Sequence, residues 1–216
     1  MRRVTIISGM TKMVKYDKIL TEHYTKIGYE VKRYQFNKAV ICCCHLHPIV
    51  DNEIASIIKT SDVIHCQSGG SFPILPYFAK HNIQKPLILE SPALKATTGT
   101  FYAGLSLVKS YKGVQDNIFV QKILDIFCFT PKWSTKMIQI LENYEENNRS
   151  LTLFSREDAV SDISGLEHVF HKIFDKGQHA RLFYDNDFNI ITDYISNYDS
   201  LTTSCKTNQN SSDEKI

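Results

Sequence analysis

Short β-branched runs alternate with helical stretches along the chain. The runs are "VTII" (4–7), "YEVKRY" (29–34), "DVIHC" (62–66), "PLILE" (86–90), "LTLFS" (151–155) and "ARLFYD" (180–185). Such alternation predicts βα units and a six-stranded, mostly parallel sheet with helices on both faces. Between the first two runs, "KYDKILTEHYTKIG" (15–28) repeats Ile19, Leu20, His23, Tyr24 and Ile27 at helical spacing, and Gly28 ends the helix. In "DNEIASIIKTS" (51–61), Asp51 is the expected N-cap, with Ile54, Ile57 and Ile58 on one face. "FPILPYFAKH" follows the third strand as a further helix. The same reading makes "SDISGLEHVFHKIFDKG" (161–177) a crossover helix, with Ser161 as cap, Leu166, Val169, Phe170 and Ile173 as its buried stripe and Gly177 as terminator.

Residues 96–149 break this rhythm. About fifty residues separate strands four and five, where a helix and short loops would be usual. Their pattern is helical, with Ile118, Phe119, Ile123, Ile126 and Phe127 in one run and Trp133, Met137, Ile140 and Leu141 in another. We read this segment as a helical lid inserted into a single domain spanning 1–200. The polar tail from 201 to 216 is low in aromatics and is expected to be disordered.

Length and charge narrow the class. At 216 residues the chain can bury a core without metal or disulfides. Its 25 Lys and Arg against 23 Asp and Glu offer little attraction for a phosphate backbone, so nucleic acid is not expected as partner. Six cysteines, three of them adjacent at Cys42, Cys43 and Cys44, suit reduced thiols rather than a disulfide framework. "CCCHLH" offers Cys44, His45 and His47 to a metal, but the second ligand pair of a structural zinc site is missing, and neither metal nor cofactor is expected. No apolar run near the start is long enough for a signal peptide, and "NIFVQKILDIFCF" is too short and too charged to span a bilayer. A cytoplasmic protein is expected, with at most peripheral membrane contact.

The chemistry concentrates in "DVIHCQSGGSFPIL" (62–75), where a strand runs straight into a helix through Ser68. A turn this sharp strains its corner residue and demands small neighbours two positions before and after. Cys66 and Gly70 stand there, giving a G-x-S-x-G elbow with Cys in place of its first glycine. Such a corner lifts a serine hydroxyl onto a helix N-terminus, where developing negative charge is favoured. The Gly69 N–H is one candidate oxyanion donor. The loop "SGM" (8–10) after strand one supplies the second, the Met10 N–H. Asp158, in the loop after strand five, is the candidate acid, and Glu90, at the end of strand four, is a second one. The histidine is the gap. The loop after "ARLFYD" carries Asp187 where an imidazole is needed, and His179 precedes that strand, so at about 3.3 Å per residue it falls roughly 20 Å away. His65 reads as a hydrogen-bonded core residue, and His168 and His171 as flank residues of the 161–177 helix. His45 and His47 lie on a loop that the pattern does not place.

With elbow, acid loop and strand order in hand, the chain resembles a minimal α/β-hydrolase lacking the first two antiparallel strands. It is more narrowly similar to the eukaryotic transmembrane protein 53-like family. The matching stretches are "IISGMTKMVKYDKILTEHYTKIGYEVKRY", "VIHCQSGGS", "PLILESPAL", "LTLFSREDAVSDISGLEHV" and "DYISNYDSL". The resemblance implies a three-layer α/β-hydrolase-like fold, Ser68 as nucleophile and Asp158 as acid, with Asp187 where the family has histidine. Two functions follow as expectations. One is a serine hydrolase acting on a small apolar ester, thioester or lipid held under the lid. The other is a hydrolase fold without turnover that binds a small molecule or a partner protein in the same cleft. A third reading, with "SGM" and "QSGGS" cradling a phosphate, lacks both the G-x-G-x-x-G pattern and a Walker lysine.

Overall fold

The computed structural model describes residues 1–9, 14–37, 49–92, 94, 99, 102–103, 107–110, 112–115, 117–120, 122, 137–143, 150–179, 182–183 and 188–210. Six strands form one sheet: β1 (Arg2–Ser8), β2 (Tyr29–Gln35), β3 (Val63–Gln67), β4 (Leu87–Glu90), β5 (Ser150–Ser155) and β6 (Lys172–Phe174). Their order is β2-β1-β3-β4-β5-β6, and every neighbouring pair is parallel. The chain moves outward from β1 to β2 and then crosses to β3 on β1's other side. That reversal opens a crevice beyond the carboxyl ends of β1 and β3, where open α/β sheets take their ligands.

Buried side chains alternate across the sheet because successive residues of a strand face opposite ways. On one face, Val4, Ile6, Val63 and Ile88 pack with Tyr16, Leu20 and Tyr24 of α1 (Val14–Lys26) and with Ile191 and Ile195 of α4 (Asn189–Asn210). On the other, Ile7, Ile64, Cys66 and Leu89 meet Ile54, Ile57 and Ile58 of α2 (Ile49–Lys59) and Phe72 and Phe78 of α3 (Ser71–His81). Helices thus cover both faces, and the central strands read as continuous apolar runs for that reason. Residues 137–143, within the expected lid, are helical and bury Met137 and Leu141 in the second cluster. Leu107, Ile118 and Phe119 of the same insertion are exposed. Much of the rest of that insertion, and the "CCCHLH" stretch, lies outside the described residues.

Three segments depart from the sequence reading. The 161–177 stretch is not a helix: Gly165 takes φ +78, a 3-10 turn covers Glu167–Val169, and Lys172–Phe174 pairs with β5 as the sixth strand. A 3-10 turn followed by a strand meets the same buried spacing that a helix would, so Val169 and Phe170 are buried either way. "ARLFYD" is therefore not the sixth strand, and its described residues, Leu182 and Phe183, are buried in a turn. The helix α4 continues to Asn210, well into the tail expected to be disordered from 201. No Gly or Pro interrupts it, and Ile191, Ile195 and Tyr198 anchor one side in the core.

One core-facing group ties this packing to pH. His23 of α1 stacks on Phe188 at 4.3 Å, and its buried Nε2 has no hydrogen-bond partner. Burial, with the nearby His65 and Lys26 adding to it, lowers its pKa from 6.5 to about 4. The unfolded chain therefore takes up this proton first as pH falls. Stability from a neutral His23 is complete above pH 6.5 and is lost progressively toward pH 4. Because the ring is only half-buried, we expect a fall of roughly 2–4 °C in Tm across that window from this group, equivalent to about 1 kcal/mol. His23→Phe should flatten the slope there, as read by thermal melts at fixed ionic strength; an unchanged slope contradicts this assignment.

Candidate active site at the carboxyl edge

The corner after β3 is strained as its sequence requires. Ser68 adopts φ +49, a left-handed conformation that costs a non-glycine residue about 1–2 kcal/mol. It opens a 3-10 turn, Ser68–Gly70, that leads directly into α3. Small neighbours make the turn physically accessible. A Cβ on Gly70 would sit 2.5 Å from the Ile7 carbonyl oxygen of β1, and Cys66 is wholly buried. The Ser71 hydroxyl donates to the Ser68 carbonyl at 2.7 Å and fixes the corner from the helix side. Ser68 itself remains partly exposed above the strand ends.

Across the crevice, the loop after β1 approaches the corner closely at Gly9. A Cβ on Gly9 would lie 3.0 Å from Ser68 Cβ and 3.2 Å from the Gly69 nitrogen. Gln35 Nε2 donates to the Gly9 carbonyl at 2.8 Å and pins this loop to β2. Gly9 and Gly69 thus face each other beside the hydroxyl. Met10 lies outside the described residues.

The histidine that the sequence reading could not place beside Ser68 is His179. Its Nε2 stands 2.6 Å from Ser68 Oγ, and its Nδ1 stands 2.7 Å from Asp158 Oδ2. A carboxylate oxygen only accepts, so Nδ1 carries the proton and Nε2 is left to accept from the serine hydroxyl. Asp158 is buried, and its other oxygen accepts the Val160 and Ser161 N–H groups at 2.7 and 3.0 Å. Ser161 Oγ lies 3.5 Å from the same histidine nitrogen. Every side chain of the relay is therefore held by a neighbour, while the imidazole remains 14 % exposed.

The expected separation of roughly 20 Å is corrected by the strand assignment. With β6 at Lys172–Phe174, His179 follows the sixth strand and lies at the carboxyl edge, beside the ends of β3 and β5. Gly177 turns the chain there with φ +137, and its carbonyl accepts the Ser155 hydroxyl of β5 at 3.0 Å. The glycine two residues before the histidine was the available signal, read instead as a helix stop. Asp187 lies outside the described residues, and the place assigned to it is taken by His179.

Glu90, the second candidate acid, is not hydrogen-bonded to His179. It is wholly buried and accepts from Gln67 Nε2 at 3.2 Å, from the Leu182 N–H at 3.0 Å and from the Tyr16 hydroxyl. His65 Nε2 lies 3.2 Å from it, and Tyr24 OH lies 2.9 Å from His65 Nδ1. Burial alone would raise the Glu90 pKa; the hydrogen bond and charge of His65, with the Leu182 N–H and Tyr16, bring it below the ordinary carboxylate value. His168 pairs with Glu142 on the surface, His171 Nδ1 accepts the Thr152 N–H, and His45 and His47 lie outside the described residues. Among the described residues, no group of three His, Cys, Asp or Glu is placed to hold a metal.

The chain has an α/β-hydrolase-like fold. It is similar to a Bacillus megaterium epoxide hydrolase with TM-score 0.54 at 8% identity, over 91% of this chain and 94% of that one. It is also similar to the esterase domain of a Rhodothermus marinus protein, with TM-score 0.48 at 11% identity, over 95% and 87% of the two chains. No protein-family model and no curated protein matches the sequence.

Because Gly70 meets backbone rather than a movable side chain, Gly70→Ala should destabilise the fold by about 1–3 kcal/mol, the range of an overpacked core. A urea midpoint equal to wild type would contradict the close approach of the corner to β1.

Proposed function

We propose that this chain is a serine hydrolase acting on carboxylic esters or thioesters. The observation that supports the reading is the continuous relay Ser68–His179–Asp158, set on a strained elbow at a helix N-terminus. In the acylation step Ser68 Oγ bonds to the substrate carbonyl carbon as its proton passes to His179 Nε2. Asp158 holds the resulting imidazolium through Nδ1–H. The carbonyl oxygen becomes an oxyanion facing the Gly69 N–H, with the Met10 N–H as the second proposed donor. Collapse expels the alcohol or thiol, which takes the proton back from His179. Water then enters, its oxygen bonding to the acyl carbon as its proton passes to the same nitrogen; the Oγ–acyl bond breaks, Ser68 Oγ takes that proton from His179, and the acid leaves.

The non-catalytic reading started from the want of a base near Ser68; the 2.6 Å separation of His179 Nε2 from the hydroxyl supports the catalytic reading over it. An apolar acyl group under the 96–149 insertion, a cytoplasmic setting, and the narrower likeness to the transmembrane protein 53-like family belong to the same proposal. Among the described residues no helix is long and apolar enough to cross a membrane.

A fluorophosphonate should label the folded protein at Ser68, located by peptide mass spectrometry. His179→Ala should slow labelling on the order of 10⁴-fold, and Ser68→Ala should abolish it. Asp158→Asn should leave the fold intact while reducing the rate by a similar factor. Folded wild-type protein that takes no label, or labels equally fast without His179, would return the non-catalytic reading to first place.

A further inference from the structure

The segment carrying His179 is gripped at both ends. Upstream, Ser155 Oγ donates to the Gly177 carbonyl at 3.0 Å, and the Gly177 N–H reaches Glu157 at 3.4 Å. Downstream, the Leu182 N–H donates to Glu90 Oε1 at 3.0 Å, and the Phe183 N–H donates to the Tyr16 hydroxyl at 3.2 Å. Tyr16 in turn donates to Glu90. One carboxylate and one phenol, both buried, therefore hold two consecutive amides just past the imidazole.

Stability alone is a poor reason for this arrangement. A buried carboxylate carries a desolvation penalty of several kcal/mol, and apolar residues of similar volume commonly match or exceed a buried ionic network in stability. Glu90 nonetheless has His65, Gln67, Tyr16 and a backbone N–H around it, and Tyr24 backs His65. These groups join α1, β3 and β4 to a single short stretch of chain. Burial and the adjacent carboxylate raise the Tyr16 pKa well above its ordinary value, so the phenol keeps its proton for Glu90 while accepting from Phe183.

We propose that Glu90 and Tyr16 are positioning residues for His179: they fix the 182–183 amides and so hold the imidazole in line between Asp158 and Ser68. This rests on the serine hydrolase reading and extends it to residues that touch neither substrate nor the relay. The effect works through placement, since a displacement of about 1 Å at a reacting group can cost on the order of 10²-fold in rate. His179 faces Asp158, Ser68 and Ser161.

The test compares Tyr16→Phe and Glu90→Gln with wild type and with Ile54→Val, a core change on the opposite face of the sheet. Each protein is reacted with a fluorophosphonate across a range of pH, and Ser68 labelling rates are corrected for the folded fraction. Tyr16→Phe and Glu90→Gln should label on the order of 10²-fold more slowly. The midpoint of the acidic limb of their rate–pH curves should also move toward lower pH, because an imidazolium less well held by Asp158 gives up its proton more readily. Ile54→Val should change neither. Folded variants with wild-type rate and midpoint overturn the positioning role while leaving the serine hydrolase reading intact. A wild-type protein that does not label brings down both. Should both variants unfold, hydrogen exchange in the wild type decides: the Leu182 and Phe183 amides should be protected as strongly as those of β4, and rapid exchange there overturns the proposal.

Discussion

A left-handed serine between a buried strand and a helix is the constraint from which the rest of the site follows. At φ +49 the Ser68 backbone is held against its own preference, and the packing of the corner on β1 keeps it there. Gly70 must lack a side chain because the Ile7 backbone occupies the space, and Gly9 packs closely against Ser68 and Gly69. The hydroxyl is thereby lifted above the strand ends, in the crevice made by the reversal of strand order at β1. Strain of this kind persists only where the surroundings over-determine it. Here the fully buried central strands supply that rigidity.

Around this corner the sheet places its remaining groups by register. Parallel strands bring their carboxyl ends to one edge, so loops after β1, β3, β5 and β6 converge although their residues are far apart in sequence. Asp158 follows β5, His179 follows β6, and each is fixed by backbone hydrogen bonds of its own loop or by the neighbouring strand. Beneath them lies a second polar layer, in which Glu90 is fully buried and hydrogen-bonded by Gln67, Tyr16 and the Leu182 N–H. The two layers divide the work. One links Ser68, His179 and Asp158, and the other holds the chain just past His179.

Much of this was legible in the sequence, and the part that was not has a definite cause. Strands β1 to β5 and helices α1 to α3 announce themselves through local periodicity, because burial on one or both faces dictates which positions are apolar. The Ser68 corner is equally local, since the small residues at 66 and 70 lie within two positions of it. His179 depends instead on which apolar run pairs with β5. "VFHKIF" and "ARLFYD" both suit a strand or a buried turn, and the choice is made by contacts such as the His171 N–H to the Thr152 carbonyl at 2.9 Å. Moving the sixth strand from 180–185 to Lys172–Phe174 moves the histidine from one edge of the sheet to the other. The Glu90 cluster was hidden for a related reason: it brings residues 16, 67, 90 and 182 together, and no spacing along the chain reports that.

The central claim is that the three side chains form one directed hydrogen-bond chain, and the tautomer of His179 reports it most directly. Nitrogen-15 NMR of histidine-labelled protein, assigned by comparison with His179→Ala, distinguishes a proton on Nδ1 from one on Nε2. The relay requires the neutral ring to carry its proton on Nδ1, facing Asp158, with Nε2 bare toward Ser68. A neutral His179 protonated on Nε2 would contradict it, because the serine would then have no acceptor for its proton.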